Sequence, residues 1–142
     1  MKNLFLLLVI FVMNCKTSNY EKMDKSDILL YTTVDNDQIK MRFMNVGNTK
    51  IDFYTPCLTN TLIYFTKDNV KISSKVLLRR NCDAKIFTLR KNESKEFFYP
   101  RTISEEYTLV KGEKYILKIE YSIFEKGHTI HKIFSENYTF VY

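Results

Sequence analysis

The chain has 142 residues, a net charge of +6, 10 Tyr and 11 Phe, no Trp, and only 3 Gly and 2 Pro. Sparse Gly and Pro with heavy aromatic loading excludes a disordered stalk and favours strands, where aromatic and β-branched side chains fit a pleated, half-buried surface. Ala is almost absent (Ala84 alone), which counts against a helical bundle.

Residues 1–15, MKNLFLLLVIFVMNC, carry one Lys, an unbroken apolar run from Leu4 to Met13, and then Cys15 followed by polar Lys16-Thr17-Ser18-Asn19. This is the layout of an export signal. The run is far shorter than the roughly 20 residues that span a bilayer as a helix. No Ala or Gly occurs in residues 1–46, so an ordinary small-x-small cleavage site is missing. A cysteine closing the apolar run, with Val12 three residues before it, resembles the lipobox of bacterial lipoproteins, although Asn14 is bulkier than the residue usual there. The resemblance implies that residues 1–14 are a removed signal peptide and that Cys15 is lipidated. It further implies a cell-envelope location, the outer membrane facing the periplasm, because Lys16 rather than Asp follows the cysteine.

Residues 15–27 then read as the lipidated Cys and a polar tether, and residues 28–142 as one domain, long enough for its own core. Ile28–Val34 is a first strand, stopped by Asp35-Asn36-Asp37. Ile39, Met41 and Phe43 alternate with Gln38, Lys40 and Arg42, the period of a half-buried strand. Gly47-Asn48 predicts a hairpin into Lys50–Tyr54. Thr61–Thr66 is apolar on both faces and reads as a central strand, closed by Lys67-Asp68-Asn69. Val70–Leu78 is ambiguous between strand and helical turn. Lys85–Arg90 and Lys95–Tyr99 are strands, the latter stopped by Pro100. Tyr115, Leu117, Ile119, Tyr121 and Ile123 face inward, with Lys118, Glu120 and Ser122 outward. Thr129–Phe134 and Asn137–Val141 complete the domain.

Short strands with a turn every 8–12 residues are the signature of an all-β, antiparallel sandwich of about seven to nine strands. Leu89–Lys95, an aromatic strand, and then Tyr107–Tyr115 with Gly112 between resemble a segment of immunoglobulin-like bacterial lipoproteins, and also of sandwich-type bacterial proteinase inhibitors. The resemblance implies an immunoglobulin-like sandwich. Tyr115 is then placed to put its hydroxyl at a sheet corner.

No catalytic constellation assembles, so the expectation is a protein that is not an enzyme. His128 and His131 project from opposite faces of a strand and make poor joint metal ligands. Asp35 and Asp37 lack the partners of a calcium loop. No cofactor motif is present, so no cofactor and no metal are expected. With Cys15 set aside for lipid, Cys57 and Cys82 form an even pair in an oxidising compartment, as a disulfide requires. Arg79, Arg80, Lys85, Arg90, Lys91 and Lys95 form a possible basic surface.

The sequence therefore predicts a membrane-tethered, non-catalytic binding or assembly module, with an envelope protein as partner and neither nucleic acid nor a small-molecule substrate. The alternative is a sandwich-type proteinase inhibitor that plugs its target with residues 55–60 or 100–106.

Overall fold

The computed structural model describes residues 27–76, 83–125 and 128–142. In chain order these form β1 (Ile28–Asp35), β2 (Gln38–Asn45), β3 (Ile51–Tyr54), β4 (Thr61–Lys67), β5 (Val70–Ile72), β6 (Ile86–Leu89) and β7 (Ser94–Thr102). A single helical turn follows, α1 (Ile103–Glu106), and then β8 (Lys114–Glu125), β9 (His128–Phe134) and β10 (Tyr138–Val141). All strand pairings are antiparallel.

Two hairpins follow from their turn residues. Asn36 and Asp37 have φ of 44° and 67°, and Asp68 and Asn69 have φ of 50° and 64°. Positive φ at both central positions is the two-residue turn whose twist matches paired strands, and Asn and Asp tolerate it. It joins β1 to β2 and β4 to β5.

β8 organises the larger sheet. It pairs with β4 along one edge. On the other edge its first residues pair with β10 and its second half with β9. The join is made by Ser135, whose hydroxyl accepts the Ile119 N–H (2.9 Å) while its own N–H donates to the Ile119 carbonyl (2.9 Å). A side-chain oxygen thus replaces a ladder carbonyl, and β8 keeps its hydrogen bonds across the break.

The smaller sheets correct one expectation. Gly47-Asn48 does not make a hairpin, because β2 pairs with β7 and β3 pairs with β6. Rings ten positions apart on a straight strand would be more than 30 Å apart. Yet Phe43 and Phe53 lie 5.9 Å apart and Phe87 and Phe97 4.6 Å apart. The two-stranded ribbon therefore doubles back on itself between residues 45–50 and 90–93.

Asn45, fully buried, holds that bend. Its side-chain amide donates to the carbonyls of Thr49 (2.7 Å) and Leu89 (3.0 Å), and its side-chain oxygen accepts the Gly47 N–H (2.9 Å). Its backbone exchanges hydrogen bonds with Glu93 and Asn92.

A second correction concerns Pro100, which does not stop its strand. β7 runs through it to Thr102 at the end of the β1-β2-β7 order. An outer strand is where a residue without an N–H is tolerated.

One core joins the sheets. Ile28 and Leu30 of β1, Ile39, Met41 and Phe43 of β2, and Ile63 and Phe65 of β4 meet Tyr115, Leu117, Ile119, Tyr121 and Ile123 of β8. Its centre is aromatic: Tyr121 lies 4.8 Å from Phe43, and Phe53 stacks on Phe87 at 5.3 Å. Burial holds the Tyr121 hydroxyl well above the ordinary tyrosine range, and it donates to the Tyr54 carbonyl. Gly112, with φ +84°, supplies the left-handed turn into β8. The Tyr115 hydroxyl accepts the Val110 N–H at 2.9 Å, closing the corner there.

Candidate functional site

The inward alternation of β8 dictates its outward face: Lys114, Ile116, Lys118, Glu120 and Ser122. Register then fixes their neighbours. Lys118 faces Tyr64 on β4; Glu120 sits between Leu62 of β4 and Phe134 of β9; Ser122 faces Lys132. Ile116 lies between Thr66 and Thr139, Lys114 faces Val141, and Lys71 of β5 faces Thr66. Four lysines from three strands are thereby spread over one sheet face, with aromatic and aliphatic side chains between them.

Glu120 corrects the sequence reading, because it points outward yet is only 7 % exposed. Lys132 lies over it with Nζ 2.6 Å from one carboxylate oxygen, and the Tyr64 hydroxyl donates to the other at 3.1 Å. The hydrogen bond to Glu120 raises the Lys132 pKa above the usual lysine value. Lys71, Lys114 and Lys118 have no carboxylate within ion-pair reach among the described residues. Two of them rest on rings, Lys71 at 4.6 Å from the Tyr64 centroid and Lys118 at 5.3 Å from that of Phe134. Phe134 remains 50 % exposed and Val141 66 % exposed. The face is cationic, with apolar surface between the charges.

A cleft of about 820 Å³ opens beside the β1–β2 turn, lined in part by Val34, Asp37, Ser104, Lys111, Tyr138 and Tyr142. The Asp37 carboxylate in it is occupied. It accepts the N–H (3.1 Å) and hydroxyl of Ser104 and the hydroxyl of Tyr142 (3.0 Å), while the Asp37 carbonyl accepts the Ile103 N–H (2.8 Å). Burial, and then the bond to Asp37, raise the Tyr142 pKa. Asp37 thus ties the β1–β2 turn to α1 and to the residue after β10. Among the described residues no group of three His, Cys, Asp or Glu side chains is placed to hold a metal ion.

The remaining sequence-predicted positions are dispersed. Cys15, Arg79, Arg80 and Cys82 lie outside the described residues. Cys57 is buried and disulfide-bonded. The loop that carries it is braced by Asn60, whose side-chain oxygen accepts the Cys57 N–H (2.8 Å) and whose amide donates to the Thr55 carbonyl (3.0 Å). Lys85 and Arg90 flank opposite ends of β6. The Lys91 ammonium donates to Asn48 (2.8 Å), and Lys95 lies over Phe87 and Phe97 at 5.6 and 5.7 Å. Residues 100–106 form the end of β7 and α1, with Ile103 and Glu106 buried. His131 is half-buried opposite Ile123.

The lysines of the β8 face escaped sequence reasoning because they belong to different strands and meet only through register. Lys118, outward in the clearest alternating segment, was the one local signal. No protein-family model matches the chain, and no curated protein matches it by sequence.

Proposed function

We propose that the protein is a non-catalytic binding or assembly module of the cell envelope, an immunoglobulin-like antiparallel sandwich tethered by lipid on Cys15 to the outer membrane and facing the periplasm. The observation that carries the binding role is the outward face of β5, β4, β8, β9 and β10, where Lys71, Lys114 and Lys118 have no carboxylate within ion-pair reach among the described residues and Phe134 is half exposed. Large apolar side chains left exposed with a polar rim mark interaction surfaces, and the lysines supply that rim. Supporting the sandwich class are the shared core and the Tyr115–Val110 contact at the start of a central strand. Strand β1 begins at Ile28, directly after the segment read as the tether.

Cys15→Ser is expected to release the protein from the membrane fraction, and sedimentation of the variant with membrane would refute the tether. Recovery of one stoichiometric envelope partner from detergent extracts is expected; recovery of abundant porins alone would count against assembly. The inhibitor reading has less support. In the 55–60 loop Pro56, Cys57 and Asn60 are buried and Thr59 is the exposed residue, so little protrudes to enter a protease cleft.

A further inference from the structure

We infer that the β8 face docks an acidic, aromatic-bearing segment of a partner protein, an inference that rests on the assembly reading above and names the chemistry of its partner.

Charge complementarity selects the class. Of the side chains that register turns outward on β4, β5, β8, β9 and β10, Lys71, Lys114, Lys118 and Lys132 are cationic, and Glu120 is the one carboxylate among the described residues. Glu120 is already covered by Lys132 and Tyr64. On these strands an incoming carboxylate therefore meets cations, and the exposed acids lie at the strand ends, among them Glu113 bonded to Lys67 before Lys114 and Glu136 after Phe134. Lys114 and Lys118 are four residues apart on one strand, about 13 Å. That spacing spreads the cations over a segment of several residues and does not converge them on one small anion.

The apolar component separates a protein from the other polyanions. Phe134, Leu62 and Ile116 lie among the lysines and Val141 lies beside Lys114; Phe134 is half exposed and Val141 more than half. Side chains of a peptide can fill those gaps, as interface cores do, whereas sulfated or uronic chains have no such groups. Lipid head groups would engage a protruding basic tip, but these lysines lie on the flat of a sheet. Lys71 and Lys118 lie over the rings of Tyr64 and Phe134, which positions each ammonium beside the apolar patch.

The test uses the full chain in neutral phosphatidylcholine nanodiscs, titrated with three probes: a synthetic peptide alternating Glu with Phe and Leu, heparin, and phosphatidylglycerol vesicles. Saturable peptide binding that falls with added salt is expected. Lys114→Glu with Lys118→Glu should weaken it about tenfold or more, since each exposed pair is worth up to about fivefold and reversal adds repulsion. Phe134→Ala should weaken it while leaving the salt dependence unchanged. Lys50→Glu with Arg90→Glu, the same charge change on the doubled-back ribbon, should have no effect. Equal losses from both double variants would overturn the inference, as would binding of heparin or vesicles without the peptide, or no binding at all. A partner that photo-cross-links through Asn36 beside the Asp37 cleft and not through Phe134 would overturn it too, while leaving the assembly reading intact.

Discussion

The side-chain amide of Asn45 donates to the main-chain carbonyl of Leu89 over 3.0 Å, linking two strands that do not pair with each other. Gly47 and Thr49 complete the set around the same fully buried side chain. Asn45→Ala leaves the Gly47 N–H and the Thr49 and Leu89 carbonyls without this partner, and each such group costs about 1–3 kcal/mol when water cannot reach it. A total loss of about 3 kcal/mol is expected in urea unfolding. Asn45→Asp should be no milder, because a carboxylate would face two carbonyl oxygens.

Tyr121 provides a pH signature. Burial raises its folded pKa above the unfolded value of about 10. Above pH 10 the unfolded chain releases that proton first, so it binds fewer protons than the folded chain and stability falls as pH rises. Lys132, raised by Glu120, acts in the same direction, its contribution present below its unfolded pKa and lost in alkali. Tyr121→Phe should cost about 1 kcal/mol at neutral pH by freeing the Tyr54 carbonyl. It should also make the decline of stability above pH 10 shallower than in the parent; an unchanged slope would show that Tyr121 has no part in it.

Cys57 is disulfide-bonded, and Cys82 is the partner we propose. Cys57→Ser should then destabilise by about 3.5 kcal/mol, the value for closing a loop of this size. Peptide mapping of the oxidised protein should return a Cys57–Cys82 crosslink. A Cys57–Cys15 crosslink would refute the pairing and the lipid assignment together.

The two described glycines with structural roles should respond differently. An added Cβ at Gly112 meets nothing within 4 Å, but φ is +84°. Gly112→Ala should therefore cost about 1 kcal/mol from backbone strain alone, and Gly112→Asn less. At Gly47 the added Cβ would lie 2.7 Å from the Asp27 side chain, so Gly47→Ala must push the chain before β1 away. Amide exchange at Val46, whose N–H donates to the Asp27 carbonyl, should accelerate in that variant.

Elements decided by local chemistry were readable in the sequence. The inward row Tyr115 to Ile123 and the turns at Asn36-Asp37 and Asp68-Asn69 depend on residues next to one another. Pairing across distance was not readable. Nothing near Gly47 states that Ile51 will meet Leu89, because that depends on Asn45 being buried where the ribbon folds over. Glu120 looked solvated because its cover, Lys132 and Tyr64, comes from two other strands. Arg79 and Arg80 of the basic stretch lie outside the described residues, and Lys95 lies over Phe87 and Phe97, whereas Lys71 and Lys118, far apart in sequence, share a face through register.

Pro100 has a consequence for how copies of this chain behave when crowded together. A bare strand margin is a template on which a second molecule can extend the ladder, and long runs of such additions end in fibrils. β7 lies at one margin of its sheet for nine residues, and Pro100 removes one donor from its backbone near the end of that run. Lys95 and Glu96 add charge at its beginning. The strand can still close its own sheet through β2, but a sister strand laid against it meets charge at one end and a missing N–H at the other. The residue that looked like a strand terminator thus leaves the outer strand one donor short of a complete ladder.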